Sequence, residues 1–136
     1  TVAMKHDDKL YTGCPVQYAR QFIAGKWQIG ILWNLRSQSL RFNEIKKQLP
    51  DISDKALVQE LDFFVQKRIV ERTTYEFPFQ KTEYKLSPVG RSLIPVITSI
   101  VEWGYLHLQD ERVTKEMSMT PLSAIQSIEN NMAEMG

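Results

Sequence analysis

The residues best suited to chemistry with a partner lie on one side of a predicted helix that begins after Ser53. Lys55 and Gln59 carry hydrogen-bonding groups suited to guanine and adenine, and Val58 can contact a thymine methyl group. Ser53 is placed to cap this helix, and the first turns of such a helix are the part that reaches base edges in a major groove. We therefore interpret Ser53, Lys55, Val58 and Gln59 as candidates for reading DNA bases.

A second set of residues flanks this helix and could hold DNA phosphates. Its members are basic or hydroxyl-bearing: Arg41, Lys46, Lys47, Thr73 and Lys81. Phosphate contacts fix the register of a protein on DNA without reading its sequence. Each of these residues taken alone could equally be a solvated surface residue. The interpretation as phosphate contacts therefore depends on all five together. Asp54 could cap the helix, accept from a cytosine amino group or be solvated, and capping or solvation is favoured.

The spacing of apolar residues predicts the elements that position these side chains. A short helix carries Phe42, Ile45 and Leu49 and stops at Pro50, and a longer helix carries an apolar stripe of Leu57, Leu61, Phe64 and Val65. Residues 69–77 and 81–86 are predicted strands, joined by Pro78, Phe79 and Gln80. This order predicts a mainly α fold with a small β-hairpin wing, which is a winged helix-turn-helix.

Helices are also predicted on both sides of this motif. Residues 15–24 and 26–35 precede it, and the second of these helices is apolar on nearly every side, as expected at the centre of a core. Ser87-Pro88 starts a long helix that reaches Leu108, and Pro95 is expected to kink it near residues 91–95.

The long helix carries more apolar surface than one small domain can cover. We therefore predict a homodimer interface that contains Val96, Ile100, Trp103 and Leu106, whereas a helix packed only across its own domain is the alternative. The expected organisation is a flexible arm at residues 1–13, a DNA-binding and dimerisation domain at 14–109, and a C-terminal extension at 110–136 that is helical or partly disordered.

Composition excludes several classes of protein. The 136 residues are 43% hydrophobic and 24% charged, which is typical of one globular domain, and no apolar run is long enough to cross a bilayer. Nothing resembles a secretory signal, so we expect a cytoplasmic protein. The two histidines are too few and too far apart to indicate a metal site. Because the sequence contains no catalytic motif, we expect neither an enzyme nor a cofactor. A net charge of +1 indicates modest non-specific affinity for DNA.

Two features leave a sensing role open. Cys14 is the only cysteine and precedes Pro15 at a predicted helix start, so it is either a reactive thiol that senses oxidants or a small residue at a helix start. Trp27, Trp33, Tyr75, Phe79 and Trp103 could line a pocket for a small-molecule effector, although aromatic residues at helical spacing are more often core.

Several short strings, in this order and spacing, carry a resemblance to a known family. They are Cys14-Pro15-Val16, Gly25-Lys26-Trp27, Arg41-Phe42 with Glu44-Ile45, Ile52-Ser53 with Leu57 and Leu61, Glu83-Tyr84 with Leu86, Gly90-Arg91, and Glu102-Trp103-Gly104. Over residues 14–108 the chain resembles the HxlR family of bacterial winged-helix transcription regulators, which are relatives of the MarR type. The wing departs from the family, in which paired prolines often precede a basic residue, because Phe79-Gln80 precedes Lys81 here.

The resemblance implies a homodimer that binds a palindromic operator in double-stranded DNA and represses or activates a nearby gene. It also raises the weight of a redox role for Cys14, because some members of the family sense oxidants or electrophiles. We expect a sequence-specific DNA-binding regulator. The alternatives are a regulator gated by an oxidant or a ligand, and a winged-helix module that contacts only proteins.

Overall fold

The computed structural model describes residues 13–108. Its elements follow one another as α1 (Pro15–Ile23), α2 (Gln28–Asn34), β1 (Leu40–Arg41), α3 (Phe42–Gln48), α4 (Asp54–Gln66), β2 (Val70–Tyr75), β3 (Lys81–Leu86), α5 (Pro88–Ser92) and α6 (Ile94–Leu108). The helix-turn-helix is formed by α3 and α4, and the wing by β2 and β3. This arrangement confirms the predicted winged helix-turn-helix.

Local hydrogen bonds explain where the helices begin. The Ser53 hydroxyl accepts from the Ala56 backbone N–H at 3.0 Å, which confirms the predicted cap of α4. Ser87 caps α5 in the same way by accepting from the Gly90 N–H at 3.0 Å. At the start of α3, the Glu44 carboxylate accepts from the Arg41 backbone N–H at 2.8 Å.

The three strands form one antiparallel sheet in the order β1-β3-β2. Arg41 of β1 lies opposite Glu83 of β3, and Thr73 of β2 lies opposite the same residue on the other side. β1 was not predicted, because two residues carry no periodic pattern. The predicted strand at 69–77 is shorter in the structure, and Phe77 lies beyond its end.

The core lies between α2, the apolar sides of α3 and α4, and the inner face of the sheet. Ile31 and Leu32 of α2 are completely buried, which confirms that this helix is the centre of the core. Leu57, Leu61 and Phe64 bury one side of α4, and Val65 is partly buried beside them. Tyr84 and Leu86 attach the wing to the same core.

The predicted long helix is interrupted rather than only kinked. α5 ends at Ser92, and α6 begins at Ile94. Pro95 is thus the second residue of a new helix, where its missing N–H removes no helical hydrogen bond. The helix predicted at 26–35 starts two residues later, at Gln28.

The remaining organisational predictions fall largely outside the described residues. The predicted arm at 1–13, apart from Gly13, and the predicted extension at 110–136 lie beyond residues 13–108. Among the helices that the structure describes, none combines the length and apolarity needed to cross a membrane.

Candidate nucleic-acid interface

One side of α4 points away from the core and carries the base-reading candidates. Lys55, Val58 and Gln59 are exposed on this outward side, and Ser53 is exposed at the helix start. On the opposite side Leu57, Leu61 and Phe64 are buried, so α4 is held against the core while its first two turns stay open. The side chains on these open turns can hydrogen-bond to bases or contact a methyl group.

Asp54 contacts the preceding helix. Its carboxylate lies 3.8 Å from the Lys46 ammonium, and the Asp54 side chain is exposed. This pair partly offsets the charge of Lys46, a predicted phosphate contact. Lys47 and Lys55, by contrast, have no carboxylate partner within residues 13–108. Lys55 therefore keeps its full charge on the first turn of α4, and Lys47 keeps its charge on the side of α3 that faces the α2–β1 loop.

The wing is attached to the outward side of α4 by Arg72 of β2. Its guanidinium contacts the Asp62 carboxylate and lies 5.5 Å from the centre of the Tyr84 ring. Hydrogen bonds with Tyr84 and Asp62 raise the pKa of the Arg72 guanidinium above its ordinary value, so it stays charged. The sequence reasoning missed this attachment, because residues ten positions apart on different elements give no pairing signal.

Three predicted phosphate contacts come together on the outer face of the sheet. Arg41, Thr73 and Lys81 lie there around Glu83, since both Arg41 and Thr73 pair with Glu83 in register. The Lys81 ammonium is 3.4 Å from the Glu83 carboxylate, so part of its charge is already offset. Arg41 retains an exposed guanidinium, which lies 5.6 Å from the centre of the Phe79 ring.

The other side of α4 is attached to the first two helices by Gln28, a buried polar residue. The side-chain oxygen of Gln28 accepts from the Gly25 backbone N–H at 2.7 Å. The side-chain amide N–H of Gln28 donates to the Gln21 backbone carbonyl at 2.8 Å. A further hydrogen bond joins it to Glu60 of α4. Burial raises the pKa of Glu60, and the hydrogen bond from Gln28 opposes that shift. The sequence analysis did not predict this network, for which the available signal was a polar residue, Gln28, at the start of an apolar helix.

Two shallow depressions lie near these elements. One, of about 450 Å³, is lined by polar residues of the α2–β1 loop and α3, and the other, of about 400 Å³, by Gln21, Gln28, Gln59, Glu60 and Phe63. The aromatic residues proposed for an effector pocket line neither. Trp33 is buried in the core, Tyr75 and Phe79 lie on the wing, and Trp103 is exposed on α6.

Comparison with known proteins identifies the family. A model of the HxlR-like helix-turn-helix matches residues 22–112. An uncharacterized HTH-type transcriptional regulator of Bacillus subtilis, YdeP, is 35% identical over 69% of this chain and 73% of its own.

Solved structures share the fold. The redox regulator HypR in its reduced form is 30% identical, with a TM-score of 0.68 over 72% of this chain and 97% of its own. A structure from Porphyromonas gingivalis, described as a MarR-family transcriptional regulator, is 29% identical, with a TM-score of 0.65 over 79% of this chain and 98% of its own. With α4 open for reading DNA and a wing fixed beside it, the chain belongs to the HxlR-like helix-turn-helix family and is a DNA-binding transcriptional regulator, not an enzyme.

Proposed function

We propose that two copies of this chain associate through α6 and α1 and bind a palindromic operator with both α4 helices. The observation that carries this proposal is an exposed apolar stripe on α6, formed by Val96, Ile100, Trp103 and Leu106. Trp103 is 67% exposed and Leu106 is 60% exposed, whereas Ile97 and Val101 on the other side of the helix are buried. A helix that is apolar all round is expected to be covered by protein.

The first helix offers matching apolar surface. Val16 and Tyr18 of α1 are both exposed, so a second copy has apolar side chains to contact on both helices. A two-fold interface uses the same patch on both subunits and would place the α4 helices in a symmetric pair. Such a pair fits two half-sites roughly 34 Å apart, one turn of DNA.

The positions of the candidate DNA-contacting residues support the following roles in this proposal. Ser53, Lys55, Val58 and Gln59 on α4 read bases, while Arg41, Lys46, Lys47, Thr73 and Lys81 hold phosphates on α3 and the sheet. A regulator with these contacts works where the chromosome lies, so we place the protein in the cytoplasm.

The experiment combines sedimentation with DNA binding. A duplex is first selected from a random library by the full chain. Trp103→Glu should dissociate the dimer and remove half-site cooperativity, because it places a charge in an apolar interface. Gln38→Glu, in the exposed loop between α2 and β1 and outside the proposed interface, is the charge control. An unchanged dimer in Trp103→Glu would show that this interface is wrong.

The same duplex separates base reading from phosphate binding. Gln59→Ala should cost about 1–3 kcal/mol at one base position only, and Lys81→Ala should weaken binding to every sequence and lower the salt slope by about 1. Equal losses on all sequences for Gln59→Ala would contradict its reading role.

A second candidate function is redox control of DNA binding through Cys14. Its Sγ is partly exposed at the start of α1 and accepts from the Gln17 N–H at 3.3 Å, and a solved structure similar to this chain is a redox regulator. Since α1 is part of the proposed dimer contact, modification of the thiol would shift one subunit against the other. Diamide takes up two electrons and two protons as Cys14 forms a disulfide with Cys14 of a second copy or with an added small thiol. This should weaken operator binding by the wild type and leave Cys14→Ser unaffected. Equal binding by both proteins with and without diamide would make Cys14 structural.

A further inference from the structure

The connection between β2 and β3 ends the wing in three apolar residues, Phe77, Pro78 and Phe79, which we call the wing tip. Phe77 is 87% exposed and Phe79 is 54% exposed. An aromatic ring this open to water gains free energy when a partner covers it. The base of the same hairpin is different, because its inward residues belong to the core. The two most exposed rings of the hairpin therefore lie at the tip, and Tyr75 at the end of β2 is 42% exposed.

Cations lie beside the rings at the base of the wing tip. The Arg41 guanidinium is 5.6 Å from the centre of the Phe79 ring, and the Lys81 ammonium is 5.2 Å from the centre of the Tyr75 ring. Glu76 contributes a carboxylate to the connection. A tip that held only phosphates would present cations at its end. Here the end is apolar and the cations lie behind it, and apolar side chains such as Phe are the ones that wedge between base steps in a minor groove.

The attachment of the wing to α4 determines which groove the tip can reach. Arg72 contacts Asp62 of α4. With a rise of roughly 3.3 Å per residue, Tyr75 lies about 10 Å farther along the strand, and the wing tip lies beyond it. With α4 in a major groove, the adjacent minor groove is half a turn away, roughly 17 Å. The distance from Arg72 to Phe77 is therefore roughly 17 Å, so the wing tip is long enough to reach that minor groove.

We propose that Phe77 inserts as an apolar wedge into a base step of the minor groove that flanks each half-site, and that it bends the duplex. This inference rests on the proposed function, and the partner that Phe77 contacts is double-stranded DNA. Phe79, beside Arg41, supports the base of the wedge. Pyrimidine–purine steps are the expected insertion points, because they unstack most easily.

The test uses the duplex selected from a random library by the full chain. 2-Aminopurine is placed in a flanking TA step to report unstacking, and circularly permuted fragments report bending. The wild type should raise the fluorescence and bend the duplex by about 20–90°. Phe77→Ala should abolish both signals and weaken binding roughly ten- to hundredfold. Its salt slope should not change, because no phosphate contact is lost.

Two control variants complete the design. Phe77→Leu keeps an apolar side chain and should retain most of the bend. Lys47→Ala should lower the salt slope by about 1 and leave the bend in the remaining complex unchanged. Thermal unfolding of each variant checks that the fold is intact.

The outcomes separate the wedge from the function on which it rests. If Phe77→Ala binds and bends the duplex as the wild type does, the wedge is wrong and the proposed function stands. If the wild type selects no duplex, both are wrong. If Phe77→Ala instead changes the sedimentation of the protein, the wing tip contacts a second copy and the DNA wedge is overturned.

Discussion

The two sides of α4 are attached to the rest of the protein by different kinds of polar contact. On the side of α1 and α2, the buried amide of Gln28 joins Gly25, Gln21 and Glu60 in one network. On the side of the wing, the contact between Arg72 and Asp62 is largely exposed to solvent. Buried hydrogen bonds are costly to break, whereas exposed ion pairs are screened and contribute little.

This difference suggests how the protein fits DNA. The firm attachment fixes α4 relative to α1, which belongs to the proposed dimer contact and so sets the distance between two reading helices. The weaker attachment allows the wing to adjust its angle to the local shape of the duplex. At the base of the wing, where the chain passes from α4 to β2, backbone hydrogen bonds hold the wing in place.

The largest expected effect is at that base. A Cβ atom on Gly90 would lie 2.2 Å from the Ile69 carbonyl oxygen, and no side-chain rotation can relieve a contact with backbone. Gly90→Ala should lower the free energy of unfolding by roughly 2–4 kcal/mol, measured by urea denaturation.

Gly104→Ala is the matched control for this substitution. Nothing lies within 4 Å of the position of its Cβ, and alanine is a better helix former than glycine. Gly104→Ala should therefore raise the free energy of unfolding by up to about 1 kcal/mol. A loss in both variants would mean that the close approach at Gly90 does not explain its effect.

The second effect tests the buried side of the comparison. Gln28→Leu keeps the volume of the side chain but leaves the Gly25 N–H and the Gln21 carbonyl without the Gln28 amide. The free energy of unfolding should fall by about 1–3 kcal/mol. Gln38→Leu makes the same change in the exposed loop between α2 and β1 and should have little effect. If both variants change the free energy of unfolding by similarly small amounts, the buried contact of Gln28 holds α4 no more firmly than an exposed contact does.

A double-mutant cycle on Arg72 and Asp62 tests the exposed side. Because solvent screens this pair, the coupling between Arg72→Ala and Asp62→Ala should be about 0.2–1 kcal/mol. Lys85 and Glu71, 3.9 Å apart on the outer face of the sheet, supply the control cycle, with a smaller expected coupling. A coupling as large as the loss in Gln28→Leu would show that the wing is held as firmly as α1.

Sequence patterns predicted the parts of this architecture that depend on neighbouring residues. The caps at Ser53 and Ser87 and the buried stripe of α4 follow from residue type and helical spacing, and all are present. Pro95 signalled a disturbance in the last helix, but the sequence did not predict that one helix ends at Ser92 and the next begins at Ile94.

The parts that depend on distant residues were not predictable. Arg72 and Asp62 are complementary charges, as are many other pairs in this chain, and only the fold decides which of them meet. β1 exists because two residues pair with β3, and so short a strand has no periodicity of its own. The candidate base readers were predictable as a set, because a capped amphipathic helix leaves one side open.

The smallest expected effect is a pH dependence on the buried side of α4. Burial raises the pKa of Glu60 above its ordinary value, and this outweighs the opposing hydrogen bond from Gln28. The folded state therefore holds the Glu60 proton more tightly than the unfolded chain, so stability falls as pH rises from the ordinary value of about 4.3 through the raised pKa. At neutral pH this cost is fully present.

Glu60→Gln removes the titration and keeps an oxygen that can accept from Gln28. Relative to the wild type, this variant should be more stable at pH 7, and its advantage should shrink as the pH falls toward 4 in urea unfolding curves. Glu76→Gln, on the exposed connection of the wing, is the matched control and should show no such trend. If the advantage of Glu60→Gln grows at low pH instead, the hydrogen bond from Gln28 outweighs burial, and the ionised carboxylate is part of what holds α4 to α1.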